Sequence, residues 1–145
     1  MKTLVIFDST FGNTKTIAQT IADNIGKDTR TITASLVTPK DLEGVTCLIV
    51  GSPIIGWRPS EKMGQFLNML KPQMLKGVKV TSFDTRVKLF IHGDAAVKIS
   101  QALVNAGGIL ITDPMYFYVK GTEGPLFKGE IEKASEWAKK ISQLV

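Results

Sequence analysis

The stretch with the clearest chemistry is Ser9-Thr10-Phe11-Gly12-Asn13-Thr14, which lies between an apolar run and a helix-period run. That chemistry is anion binding. A helix N-terminus leaves backbone amides without intrahelical acceptors and carries a partial positive charge. Ser9, Thr10 and Thr14 add hydroxyl donors, and Gly12 lets the backbone approach a ligand closely. A phosphate fits such a site without any lysine. A polar turn that only caps the helix is the alternative. Neither Gly-Lys-Ser/Thr nor G-x-G-x-x-G occurs here, so the triphosphatase loop and the dinucleotide fingerprint are both absent.

Two further stretches follow apolar runs in the same way. Gly51 to Pro59 holds Pro53, Ile54, Ile55, Gly56 and Trp57. A loop tryptophan exposes apolar area unless something covers it, and a flat ring is a good cover; packing on the adjacent helix is the alternative. Phe83-Asp84-Thr85-Arg86 offers two hydrogen-bonding side chains and a positive charge. Asp84 is otherwise a turn-former, and Arg86 otherwise a surface residue. His92-Gly93-Asp94 reads as a helix start, which makes His92 structural. Cys47 falls inside a strand and reads as a small buried hydrophobe. A phosphatase loop would need arginine six residues after it, where Pro53 stands. One cysteine and one histidine leave no expected metal site, and no side chain is arranged as a nucleophile, so no catalytic residue is assigned.

The elements that must hold these residues alternate in type. Thr3–Phe7 reads as a buried strand, followed by a helix over 14–25 with Ile17, Ile21 and Ile25 on one stripe. A second strand is expected over 31–37 and a third over 45–50, apolar enough to be covered on both faces. Only one helical turn fits between those two strands. Ser60 caps a helix carrying Met63, Phe66, Leu67 and Leu70, and Pro72 stops it. A fourth strand is expected over 78–83, a helix from the Asp94 cap to Gly107, a fifth strand over 109–112, and a last helix from about Gly129. This alternation means an α/β fold, a doubly wound parallel sheet with helices on both faces. Ligands in such sheets bind beyond the carboxyl ends of the strands, where the three stretches above lie. Tyr116 to Leu126 is aromatic and turn-rich and reads as a loop on the sheet edge.

Composition narrows the class. The chain has 145 residues, 43% apolar and 21% charged, which suits one domain over 1–145 with one core. No apolar run is long enough for a membrane span, and the N-terminus lacks a signal peptide's apolar region, so a soluble cytoplasmic protein is expected. The net charge of +5 is spread over both halves, with no basic run interleaved with aromatics. Nucleic acid is therefore not expected as a partner.

At Ser9-Thr10-Phe11-Gly12-Asn13-Thr14 the chain resembles the flavodoxin family, whose hydroxyl-rich S/T-x-T-G-x-T loop binds the phosphate of FMN. Phe11 departs from the pattern, where the family commonly has threonine. The resemblance spans the chain and implies the known flavodoxin arrangement, five strands in the order 2-1-3-4-5 with FMN at the switch point. It implies Trp57 stacked on the flavin, the Gly56 carbonyl accepting from the reduced ring, and residues 83–86 on its pyrimidine side; with no tyrosine in that stretch, either the outer ring face is more open or an aromatic such as Phe90 or Tyr116 reaches across. The implied function is an FMN electron carrier. The alternatives are an FMN-dependent quinone or porphyrinogen oxidoreductase, or a flavin-free interaction module. A signalling receiver domain is disfavoured, because Gly51-Ser52 replace the acceptor aspartate. Flavodoxins tend to be acidic. A basic one, with Arg86 at the ring, is expected to favour the reduced flavin and redox partner proteins with acidic surfaces.

Overall fold

Thr3–Phe7 forms β1, an inner strand of the sheet in the computed structural model, which describes residues 2–26, 28–88 and 93–145. All five residues are buried because both faces are covered: Leu4 and Ile6 join one core cluster, Val5 and Phe7 the other. β2 (Thr29–Thr33) and β3 (Cys47–Ile55) pair with β1 on either side, and β5 (Lys79–Val87) lies beyond β3, all parallel. β4 (Arg58–Pro59) folds back antiparallel on the end of β3. The last sheet position is shared by β6 (Ile109–Leu110) and β7 (Met115–Val119), both parallel to β5. Five strand positions thus run in the flavodoxin order 2-1-3-4-5. Helices α1 (Asn13–Ile25) and α4 (Glu130–Leu144) cover the face of Val5, Ile49 and Phe117. Helices α2 (Glu61–Met69) and α3 (Ala95–Asn105) cover the face of Leu4, Leu48 and Val80. Among the described residues, no helix is long and apolar enough to cross a membrane.

Four boundaries differ from the sequence expectation. β2 ends at Thr33 instead of Val37, because Ala34–Leu36 and Pro39–Leu42 coil into two 3-10 turns. The second turn is locked by Asp41, whose Oδ2 accepts from the Thr38 amide at 2.8 Å and its hydroxyl at 3.1 Å. These turns are the short crossover that the spacing predicts. β3 and β5 both run four or more residues past their apolar runs. Asp84, Thr85 and Arg86 therefore continue a strand instead of forming a loop, paired in register with Tyr116, Phe117 and Tyr118. Residues 115–119 are in turn a strand, not an edge loop. Pro114 cannot donate to a ladder, so the fifth position breaks into β6 and β7. The expectations for Phe90 and His92 lie outside the described residues.

Candidate functional site

Beyond the carboxyl ends of β1, β3, β5 and β7 lies a cavity of about 410 Å3, in the range of small-molecule and cofactor sites. Ser9, Thr10, Phe11, Asn13 and Thr14 form one wall, and Pro53, Ile54, Ile55, Gly56 and Trp57 another. Thr85 and Arg86 close a third side with Val87, and Gly93, Val119 and Thr122 complete it. Three of the expected residues stand outside the lining. Gly12 is the N-cap of α1. Phe83 is fully buried, edge-on to Phe117 and Trp137 with centroids 5.9 and 6.3 Å away. Asp84 is fully buried as well.

The α1 terminus is open for an anion. Gly12 sits in the left-handed region at φ 94°, no side chain caps the helix, and its first turn holds no acidic residue. The first intrahelical bond is from the Thr16 amide to the Gly12 carbonyl at 3.0 Å, so the amides before it need an outside acceptor. The Ser9 hydroxyl accepts from the Gly12 amide at 3.0 Å, which leaves its own proton to donate. Thr14 is buried and shares a 2.8 Å hydrogen bond with the Thr85 hydroxyl, tying the helix to β5.

The second wall is a hairpin. Ile55 pairs with Arg58, leaving Gly56 and Trp57 as a two-residue loop at φ 60° and 71°. Positive φ at both positions is the type I′ pattern that matches the strand twist. Glycine suits it; tryptophan there is uncommon and strained. The Trp57 backbone is held from outside. Lys98 Nζ donates to its carbonyl at 3.2 Å, and Gly93 packs so close that a Cβ there would collide with the Trp57 backbone. The Trp57 side chain is 55% exposed and Phe11 51% exposed, both on the cavity.

Arg86 is buried, not a surface residue, and its charge is answered. Its guanidinium donates to both Asp84 oxygens at 2.9 and 2.6 Å and to Asp94 Oδ1 at 3.3 Å, and lies 3.7 Å over the Tyr116 ring. Asp84 also accepts from the Ala96 amide at 2.9 Å, and Tyr116 donates to Asp94 at 3.1 Å. Burial pushes the Asp84 carboxyl up, with Arg86 and the Ala96 amide pulling against it. Burial works to lower the guanidinium's pKa, but the two carboxylates outweigh it and hold Arg86 above its usual range. Burial and then Asp94 push the Tyr116 phenol up. The positive charge expected at the ring is thus matched by two carboxylates, and Asp84 spends its oxygens on Arg86 and α3, not on the cavity.

Sequence reasoning missed Val87, Gly93, Val119 and Thr122 in the lining. Val119 and Thr122 belong to the aromatic, turn-rich stretch that carried no assigned role. It reaches the site because Asn13 Nδ2 donates to the Glu123 carbonyl at 3.3 Å and Gly124 abuts the Asn13 side chain. Nothing in the local sequence signals that contact.

No protein-family model matches the sequence, and no curated protein does. Solved structures match over the full length. Oxidised flavodoxin 1 from Bacillus cereus aligns at TM-score 0.86 and 18% identity, covering 100% of this chain and 99% of that one. The flavodoxin of Streptococcus pneumoniae TIGR4 aligns at 0.84 and 18%, covering 100% of both chains. The two-electron reduced flavodoxin of Megasphaera elsdenii aligns at 0.73 and 22%, covering 95% and 98%. The fold is that of the flavodoxins. At these identities the likeness extends to the flavodoxin fold alone, and the site's chemistry rests on the residues described above.

Proposed function

We propose that this flavodoxin-like chain binds FMN without a covalent link and carries electrons in the cytoplasm. One observation supports it above the rest: an uncapped, acid-free helix N-terminus flanked by Ser9 and Thr14 opens on the same cavity as the half-exposed Trp57. Those features fit FMN's two ends, a dianionic phosphate and a flat apolar ring. Ser9, Thr10, Asn13 and Thr14, with the amides behind Gly12, would hold the phosphate. Trp57 would cover one ring face, with Pro53, Ile54 and Ile55 along its edge. The Gly56 carbonyl would accept from the reduced ring, and Thr85 and Arg86 would face the pyrimidine side. Bound FMN supplies the redox chemistry; the protein orients it and shields it from water.

Titration with FMN, riboflavin and FAD tests this. FMN should bind most tightly, with its fluorescence quenched. A protein that binds none of the three would end the reading. Steady turnover of NAD(P)H with quinones would make the chain an FMN-dependent oxidoreductase instead of a carrier.

A further inference from the structure

We propose that the lysines beside the cavity mouth are a docking surface for an acidic redox protein; this rests on the flavin reading above. Val87 and Val119 are register partners on neighbouring strands, and both line the cavity. The residues that follow them, Lys88 and Lys120, are exposed and stand together at the carboxyl edge of the sheet. Their ammonium groups gather over one ring, 4.8 and 6.0 Å from the Phe127 centroid. Lys88 Nζ also lies 5.2 Å from the Tyr118 centroid, with Lys133 Nζ 4.9 Å from the same ring.

Lys133 has a carboxylate partner, Glu130, at 2.8 Å. Neither Lys88 nor Lys120 has one among the described residues. Asp94 is taken up by Arg86 and Tyr116, and Glu123, on the loop after β7, is exposed. Like charges this close repel, and ring faces offset only part of that cost. A negatively charged partner removes it.

The cavity mouth supplies the rest of an interface. Phe11 and Trp57, half-exposed aromatics, line the cavity that Val87 and Val119 also line. Exposed aromatic area bordered by charge is the usual anatomy of a protein–protein contact. The sequence holds no run of basic residues interleaved with aromatics, which favours a protein face over nucleic acid. A partner seated there brings its redox centre to the flavin. FMN bound there would take up the electron that the partner's reduced iron–sulfur centre gives up, with no bond made or broken.

An acidic [2Fe–2S] ferredoxin is a suitable probe. Calorimetry measures its binding to the flavin-free and FMN-loaded protein at about 20 and 300 mM salt. Binding should weaken at least about tenfold over that range. Lys88→Glu with Lys120→Glu should weaken it by about tenfold or more at low salt while leaving the FMN dissociation constant unchanged, and the paired glutamine variants should fall between. Three outcomes overturn the proposal: no ferredoxin binding, binding that ignores both substitutions, or tighter lysine-dependent binding to duplex DNA or phosphatidylserine vesicles. Ferredoxin docking on a protein that refuses FMN would leave the surface standing and remove the flavin reading.

Discussion

At Ser9 and Thr14 two hydroxyls of similar chemistry have different neighbours, so their removal should read differently. The Ser9 hydroxyl accepts only a local amide. Ser9→Ala should cost FMN roughly 1.5–3 kcal/mol, the value of a hydrogen bond to a charged group, and cost riboflavin little. Thr14→Ala should weaken FMN by a similar amount and also destabilise the fold, because it strands the buried Thr85 hydroxyl. Parallel titrations and urea unfolding separate the two effects. Trp57 carries the opposite balance. Its left-handed backbone stores strain that glycine would not have. Trp57→Gly should leave the flavin-free protein as stable as before, or more stable by up to about 1 kcal/mol, while FMN affinity falls and bound-flavin emission rises. A stability loss beyond about 1 kcal/mol would mean that the indole packs as structure.

Elements meet the site through two contacts that no single residue explains. The β3–β4 hairpin leans on the start of α3 through Gly93, where any Cβ would strike the Trp57 backbone. Gly93→Ala should displace the hairpin, costing about 1–3 kcal/mol of stability and weakening FMN although no ligand-facing atom is lost. Urea unfolding and an FMN titration check both parts. The second contact joins β5, α3 and β7 through Asp84, Arg86, Asp94 and Tyr116. Asp84→Asn removes the carboxylate that takes two hydrogen bonds from the buried guanidinium and leaves the half-exposed Asp94 among its partners. It should destabilise by about 3–5 kcal/mol in denaturant unfolding. Asp94→Asn should cost less, since Asp84 still holds Arg86 from two sides.

Over the whole molecule, the buried Cys47 thiol ties stability to alkaline pH. Burial pushes the Cys47 thiol up to about 11 from its ordinary value near 9. The folded chain therefore keeps that proton at pH values where the unfolded chain has released it. The sign follows: stability is full below pH 9 and falls as pH rises towards 11. The loss is about 2 to 3 kcal/mol, which unfolding curves of the native chain against Cys47→Ala should isolate from lysine and tyrosine titration. The thiol should also resist iodoacetamide at pH 8 until denaturant is added. The net charge of +5 gives the surface its sign, but its effect depends on clustering, as at Lys88 and Lys120.

Hydrophobic period and cap residues determined most of the fold from the sequence. The apolar runs at Thr3–Phe7 and Cys47–Val50 lie in strands buried on both faces, and Ser60 and Asp94 start helices by accepting from Met63 and Val97 amides. Those signals are local, so they survive without tertiary context. The Ser9–Thr14 stretch was legible for the same reason: strand, hydroxyl loop and helix follow one another along the chain. Tertiary structure decided where strands end and which side chains face the cavity. Asp84, Thr85 and Arg86 look like a loop because they are polar, yet β7 supplies a ladder from thirty residues away and turns them into strand. Arg86 reads as free positive charge in the sequence, and the fold sets Asp84 and Asp94 beside it. Thr122 entered the cavity lining only because its loop rests on Asn13. Pairing and ion-pair partners are distant in sequence, and no period within one segment encodes them.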